Sequence, residues 1–368
     1  LGDVYKRQFP GGFRLPPHAD GTLPLPLDVP AKGKCFVNIC YHCKQDSALI
    51  KADHLLGFDE IPLQNSDPRN QDAVQLLGRP AGDGLITIRE TDRMLVLSCE
   101  QFTYVFNKLT GLFDKMTFAN EPLLDQPMGF NVWRAPTDND RKLKADWYAA
   151  HYDHAATNAY HTEYTVTASG VTLHTHVGIA AICVQKFLDL DVTWTVANNG
   201  SVDLALHAQR NTVFPELPRF GLRLFLPQEM SQVNYYGMGP MECYCDKHHA
   251  ASNNSYTATV WQLHEDYIRP QENGSHFDCD YVMLAGDAVR LTAVGTQPFS
   301  FNASHYTQEE LTRKAHNYEL EPCSSTVLCL DYAQNGIGSE SCGPRLLEQY
   351  RLDDATFNFG LRLFPEKK

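Results

Sequence analysis

The stretch LDLDVTWTV at residues 188–196 alternates strictly between apolar and polar side chains. A period of two places every apolar residue on one face of an extended chain, so this stretch predicts a half-buried β-strand. The turn residues NNGS follow at 198–201, and the alternation resumes over 202–206. Together the two segments predict a β-hairpin in an antiparallel sheet.

Strand-like segments recur on both sides of this hairpin. They lie at residues 85–88, 94–97, 102–106, 112–118, 220–226, 281–284, 289–294, 327–330 and 357–363. A helix start is indicated only at Thr307, where Glu310 follows three residues later as in a capping box, and this helix is expected to end near His316. Many antiparallel strands with little helix predict an all-β fold, a large antiparallel sandwich of two curved sheets.

Composition limits the classes of function. Hydrophobic residues make up 43% of the 368 residues, which is enough for a packed core, and the net charge is −13. Nucleic acids and anionic membrane surfaces attract basic patches, so neither is expected as a partner. No run approaches the roughly 20 apolar residues of a membrane span. The 11 cysteines are odd in number and lack the paired spacing of a zinc site, which favours reduced thiols, a cytoplasmic location and no metal.

The most informative polar stretch is MGFNVWRAPTDNDR at residues 128–141. An apolar segment ends at Trp133, and the proline that follows interrupts regular pairing. The next residues form a dense group of hydrogen-bonding side chains on a loop: Asp138, Asn139, Asp140 and Arg141. Such a group suits sugar hydroxyls or a neighbouring domain, and it is equally compatible with a salt-bridged turn.

Five motifs in order carry a resemblance to a known family. They are RAPTDND at 134–140, YGMGPME at 236–242, PQENG at 270–274, FNASHYT at 301–307 and GIGSESCGP at 336–344. From roughly Met94 to the C-terminus, the chain resembles the small-chain region of the bacterial β-galactosidases of glycoside hydrolase family 2.

The resemblance implies a domain arrangement. Residues 1–8 match nothing in the family and read as a leader or artefact, and the chain is expected to be a fragment of a longer protein. Residues 9–64, with strands expected near 23–27, 36–41 and 54–62, correspond to part of an immunoglobulin-like sandwich, which needs about seven strands. The polar residues 65–84 read as a linker. Residues 85–368 correspond to a supersandwich related to the galactose mutarotases.

The resemblance also implies how this region takes part in chemistry. In the family, both catalytic glutamates lie on an upstream barrel, and the magnesium and sodium ions are expected there as well. No catalytic residue is therefore expected in this chain, whose partners are β-galactosides, that barrel and further copies of itself. The residues expected to face the active site are Asp138, Asn139, Asp140, Arg141, Trp147, His151 and Cys342. Those expected at a domain interface are Arg134, Glu242, Glu272 and Asn273.

Cys342 departs from the family pattern. A tryptophan at the matching position of the best-known member stacks on the sugar in the leaving-group site, and a thiol has no aromatic face. Either the acceptor site is weaker here, or another ring such as Trp147 replaces it, on the segment 142–160, which is expected to be irregular, polar and aromatic.

Two other functions fit the same fold class. A stand-alone mutarotase needs a histidine acid and a glutamate base that converge, for which His174, His176, His207 and Glu216 are candidates. A carbohydrate-binding module without a catalytic partner is the second alternative, since a fold does not by itself fix a function.

Overall fold

The computed structural model describes residues 16–22, 24–27, 29, 33–63 and 69–368. The chain divides into two compact units, Leu1–Asp72 and Ala73–Lys368. This boundary falls inside the segment expected to be a linker. The proposed leader at residues 1–8 lies outside the described residues.

Within its described residues, the first unit contains one antiparallel pair of strands, β1 (Phe36–His42) and β2 (Leu55–Pro62). Both were expected from the sequence. Residues 24–27 do not form the predicted edge strand, and residue 23 lies outside the described part.

A short helix, α1 (Gln71–Leu77), lies within the segment expected to be a linker. These residues are helical because Ala73, Leu76 and Leu77 have helical spacing and form an apolar stripe. This stripe, which itself belongs to the second unit, packs in a small cluster with Tyr236 and Tyr281. The helix is therefore held by tertiary packing, which composition alone does not reveal.

The second unit begins with a five-stranded antiparallel sheet. Its strands are β3 (Thr87–Glu90), β4 (Met94–Ser98), β5 (Phe102–Asn107), β6 (Leu112–Phe118) and β7 (Glu121–Pro122).

A twelve-stranded antiparallel sheet follows. Its strands are β8 (Gln126–Asn131), β9 (Ala156–Thr167), β10 (Gly170–Ala180), β11 (Leu188–Ala197), β12 (Val202–Arg210), β13 (Arg219–Pro227), β14 (Gln232–Gly239), β15 (Ser252–Thr259), β16 (Ser275–Ala285), β17 (Val289–Ser304), β18 (Ser325–Gln334) and β19 (Thr356–Lys367). The predicted hairpin is β11 and β12, in which Val192 lies opposite Leu206.

The two sheets share one hydrophobic core, so the unit is an all-β sandwich, as the sequence predicted. Trp194 of β11 lies between them: its ring meets Phe113 of β6 edge-on at 5.3 Å, and its indole N–H donates to the carbonyl of Gly111 at 3.0 Å. Tyr104 of β5 likewise donates to the carbonyl of Gly200 at 2.6 Å. Both polar tips are thus paired within the core, which removes the cost of burying them.

The remaining helical segments are short. They are α2 (Leu143–Ala149), α3 (Gln308–Arg313) and 3₁₀ turns at Asp138–Arg141, Tyr152–His154, Val260–Leu263, Asn317–Glu319 and Glu348–Tyr350. The predicted cap of α3 is confirmed, since the Thr307 hydroxyl accepts from the Glu310 N–H at 3.1 Å. No helix in the described ranges has the length and apolar character needed to cross a bilayer.

The expectation of an irregular segment at 142–160 is wrong. Leu143, Trp147 and Ala150 are buried at spacings of four and three residues, so α2 presents one apolar stripe to the core. The sequence signal for the helix is the spacing of these three apolar residues, not the aromatic content of the segment.

Candidate functional site

The structure brings two distant motifs into direct contact. The chain leaves β8 and forms the 134–141 turn, and the 336–344 loop follows β18. Arg134 is fully buried and donates to the carbonyls of Asn335 and Gly336. One guanidinium thus holds the start of the loop, because its fixed fork of donors can reach several acceptors at once.

Asp140 organises the turn rather than facing a ligand. Its carboxylate accepts from Arg134 at 2.6 Å and from the backbone N–H and hydroxyl of Thr137 at 2.8 and 3.1 Å. The residue is 3% exposed. The expectation that Asp140 faces substrate is therefore corrected: its acceptors are used inside the protein.

Asn139 and Asp246 fix the loop from two sides. The Asn139 amide donates to the carbonyl of Ile337 at 2.5 Å. The Asp246 carboxylate accepts from the N–H groups of Ile337 and Gly338 at 3.0 and 2.7 Å. Asp246 was not singled out from the sequence, because its only local signal is the turn in which it lies.

The outer part of the loop is exposed. Arg141 donates to the carbonyl of Ser341 at 2.8 Å, and beyond this bond Cys342, Gly343 and Pro344 are exposed to solvent. Asp138 is exposed beside them, and its backbone N–H donates to Gln271 at 3.0 Å. We call residues 341–344 the loop tip. Among the residues expected to face substrate, Asp138, Arg141 and Cys342 lie at this surface.

Trp147 does not lie at the surface. The ring is fully buried, its N–H donates to the carbonyl of Glu216 at 2.9 Å, and the Arg134 guanidinium lies 5.0 Å from the ring centroid. Trp147 cannot offer a face to a sugar, so it does not replace a tryptophan at position 342. His151 is exposed at the start of a 3₁₀ turn, with a φ of 57°.

The residues expected at a domain interface divide into two groups. Arg134 and Glu272 are buried within the second unit, at 0% and 2% exposure. Glu272 accepts from Arg219 at 2.6 Å and from the Ala135 N–H at 3.1 Å. The interface expectation is thus corrected for both residues, because their polar atoms are used in fixing the 134–141 turn.

Glu242 and Asn273 lie beside this turn and are less deeply buried. Glu242 accepts from Lys247 at 2.7 Å, from the Tyr267 hydroxyl at 2.5 Å and from the Gly274 N–H at 3.0 Å. Burial opposes ionisation of this carboxyl, but these donors outweigh it and lower the pKa of Glu242. Asn273 accepts from the Glu265 N–H at 3.0 Å.

A buried polar network lies beneath the turn, centred on Arg219. Besides Glu272, this guanidinium contacts both oxygens of Asp331, and it donates to Asn302 at 3.0 Å. Arg219 and Asp331 are fully buried. Neither residue was identified from the sequence, since their partners come from distant parts of the chain.

Each side chain that a mutarotase would use is hydrogen-bonded to a different partner. His174 bonds Thr193 at 3.1 Å and His176 bonds Asp191 at 2.9 Å. His207 bonds Asn358 at 2.9 Å, whereas the Glu216 carboxylate is paired with Arg345 at 2.8 Å. In the described ranges, no three His, Cys, Asp or Glu side chains are grouped so as to hold a metal ion.

Comparison with known proteins identifies relatives across nearly the whole chain. The profile of the family described as beta galactosidase small chain matches residues 98–363. A beta-galactosidase of Actinobacillus pleuropneumoniae is 37% identical over 351 residues, which cover 95% of this chain and 34% of that protein. A beta-galactosidase of Staphylococcus xylosus is 34% identical over 348 residues, covering 94% of this chain and 34% of that protein.

The chain spans about a third of the length of these relatives. Among solved structures, a galactose 1-epimerase from Lactobacillus acidophilus superposes with a TM-score of 0.41 at 8% identity, covering 77% of this chain and 99% of that one. The family profile covers well over half of the present sequence, including the 134–141 turn and the 336–344 loop. The chain belongs to the beta galactosidase small chain family.

Proposed function

We propose that this chain is the C-terminal part of a β-galactosidase of glycoside hydrolase family 2, which releases terminal β-D-galactose from β-galactosides such as lactose. The two catalytic carboxylates of such an enzyme would lie on the upstream part of the polypeptide, together with its magnesium and sodium ions. The role of this chain is to border the active site, bind carbohydrate there and support assembly.

The observation that carries the proposal is the family match across residues 98–363, in a chain that covers a third of its β-galactosidase relatives. The contacts of the 336–344 loop support the bordering role. Its base is held by Arg134, Asn139 and Asp246, whereas its tip is exposed. A rigid base with an accessible tip suits a wall that positions a sugar, because small displacements of positioning groups reduce rates strongly.

The test compares this chain with the longer polypeptide that carries it. We expect the isolated chain to hydrolyse neither lactose nor an aryl galactoside above the buffer rate, and the longer polypeptide to hydrolyse both. In the longer polypeptide, Asn139→Ala removes the bond to the Ile337 carbonyl and is expected to lower kcat/KM several-fold. Lys144→Ala, a half-buried position one turn further along, serves as the control. Turnover by the isolated chain at an enzyme-like rate would refute the proposal.

Placing an aromatic ring at residue 342 tests whether the loop tip borders the active site. In the longer polypeptide, Cys342→Trp is expected to strengthen binding at the leaving-group site, because a stacked ring contributes about 0.5–1.5 kcal/mol beyond its buried area. That range corresponds to roughly a 2- to 12-fold change in the affinity for an added sugar acceptor, measured from transglycosylation yields.

The matched control for Cys342→Trp is Ile182→Trp, which adds an indole at a position that is 88% exposed in a different turn. We expect no change in acceptor affinity for this control. If Cys342→Trp also left lactose and aryl-galactoside kinetics unchanged, the loop tip would not border the active site.

We also propose a cytoplasmic location and a homo-oligomeric assembly. The odd number of cysteines, none of which forms a disulfide, favours a reducing compartment. Closed symmetric homo-oligomers are the commonest assemblies of soluble proteins. Light scattering of the longer polypeptide tests the homo-oligomeric assembly, and a monomeric mass would contradict it.

A further inference from the structure

Strand β9 forms one edge of the twelve-stranded sheet, and in the part of the chain that the structure describes it pairs with β10 alone. The Ala159 N–H donates to the carbonyl of Leu109 at 2.8 Å, and the pairing with β10 then skips Tyr160. From there residues 161–167 pair with β10 in an unbroken register. Alternate backbone N–H and C=O groups of such a segment point away from the sheet, so it offers a template for a further strand.

The sequence of this segment, HTEYTVT, lacks the residues that usually protect an exposed edge. It contains no proline, glycine, lysine or arginine, and Glu163 carries its only formal charge. Apart from Glu163 and His161, its residues are threonine, tyrosine and valine, which favour strands. Low charge combined with strong strand propensity is typical of segments that pair between chains.

The other strands with an open side in the second unit, as far as the structure describes it, contain such protecting residues. β7 and β8 contain proline, β3 ends in two charged residues, and β15 contains two adjacent asparagines, which are depleted in strands. These residues are Pro122, Pro127, Arg89, Glu90, Asn253 and Asn254. Among these edges, β9 is therefore the best suited to pair with another chain.

Alternation along β9 limits how a second copy of the chain could pair with it. Within 161–167 the even-numbered residues lie on the core side, where Tyr164 packs against the core and Val166 remains 60% exposed. The odd-numbered residues lie on the exposed face. Directly opposed residues of an antiparallel pair share a face, so a twofold axis between two β9 strands must pass through a residue and not between two.

Two of the possible registers are unfavourable. An axis through Glu163 would place the carboxylates of the two copies directly opposite each other. An axis through Thr162 would place residue 165 of the second copy opposite Ala159, whose N–H is already bonded to the carbonyl of Leu109. An axis beyond residue 164 would pair fewer residues of the free segment.

We propose that two copies of this chain associate by antiparallel pairing of their β9 strands, with the twofold axis through Tyr164. All of residues 161–167 then pair. Glu163 of each copy lies opposite the hydroxyl of Thr165 in the other, which donates to the carboxylate, and the exposed Val166 is covered by Thr162. Every contact occurs twice, so the segment is complementary to itself.

The inference rests on the homo-oligomeric assembly proposed above, for which it names the contacting strand, and it does not depend on the proposed hydrolysis. Opposite charges at one exposed position test it. Thr165→Lys places an ammonium group opposite Glu163 of the second copy and is expected to tighten the dimer, whereas Thr165→Glu places a like charge there and is expected to weaken it. Because each pair occurs twice, we expect the dimer Kd to shift roughly three- to tenfold in opposite directions.

Sedimentation equilibrium of this chain and of the longer polypeptide measures the Kd, and thermal unfolding confirms that each variant is folded. The matched controls are Asn254→Lys and Asn254→Glu, at an exposed position on β15. They change the net charge by the same amounts and are expected to leave the Kd unchanged.

The proposal is overturned if this chain sediments as a monomer at all concentrations up to about 0.3 mM, a range that would reveal even a weak dimer. Shifts in the same direction for Thr165→Lys and Thr165→Glu, or equal shifts in the Asn254 variants, would overturn it too. A longer polypeptide that is oligomeric but does not respond to either Thr165 variant would contradict the β9 contact and leave the homo-oligomeric assembly in place.

Discussion

Replacing Arg219 with methionine is expected to lower the free energy of unfolding by about 3–5 kcal/mol. The guanidinium is fully buried and is the cationic partner of two buried carboxylates, Glu272 and Asp331. Methionine fills much of the same volume but leaves both carboxylates without a charge partner. The loss arises mainly from these uncompensated charges rather than from the value of the ion pairs themselves.

The loss of unfolding free energy in Arg219→Met should be smaller at low pH than at high pH. Burial raises the pKa of Asp331 to about 6, even though Arg219 opposes the rise. Without Arg219 the carboxyl is expected to bind a proton more readily still, and a neutral carboxyl is less costly to bury than a carboxylate. Urea unfolding of Arg219→Met is therefore expected to show a smaller deficit at pH 5 than at pH 8.

The matched control is Arg290→Met. Arg290 also bonds a carboxylate, Glu366, at 2.9 and 3.0 Å, but the two side chains are 39% and 22% exposed. Solvent screens such a pair, so we expect a change of about 1 kcal/mol or less. Equal losses in the two variants would contradict a special role for the buried network.

We expect His276 to make the folded protein less stable in acid. This ring is 1% exposed and lies between Tyr235 and Phe301, with ring centroids 4.6 and 5.0 Å away. Burial lowers the pKa of His276 to about 4. In the unfolded chain the same group has a pKa near 6.5.

The stability of the folded protein is expected to fall with pH, because the folded and unfolded states bind different numbers of protons at His276. Between pH 6.5 and 4 the unfolded chain binds a proton at this histidine and the folded protein does not, so protonation favours unfolding as the pH falls. The stability contributed by the neutral ring is complete above pH 6.5. It is lost by about 3 kcal/mol as the pH approaches 4, below which both states are protonated.

Chemical denaturation at a series of pH values measures this slope. His276→Gln is expected to flatten the pH dependence between 6.5 and 4, even if the variant is less stable at every pH because the contact with Tyr235 is lost. His207→Gln is the control, since this histidine lies at the surface and bonds Asn358. An unchanged slope in His276→Gln would show that another group governs acid unfolding.

Local periodicity predicted the regular strands because their signal is contained in adjacent residues. The β11–β12 hairpin, the hairpin of β5 and β6, and the cap at Thr307 all agree with the structure. Each depends on residues only a few positions apart, so the sequence carries the whole pattern.

The candidate site was predicted only in part. The 134–141 turn and the 336–344 loop were both singled out, and the structure joins them through Arg134 and Asn139. The burial of Asp140 and Trp147 was not foreseen. A carboxylate in a polar turn and a tryptophan in an aromatic segment look alike in sequence whether they face solvent or core.

The all-β class and the family could be predicted from the sequence alone, because alternation and ordered motifs are properties of neighbouring residues. Which polar side chains are bonded inside the protein, and which remain at the surface, depends on the packing of distant segments. Arg219 illustrates the reason: its partners Glu272, Asn302 and Asp331 lie 53, 83 and 112 positions away. No local pattern can encode such a network, since it exists only after the strands have paired.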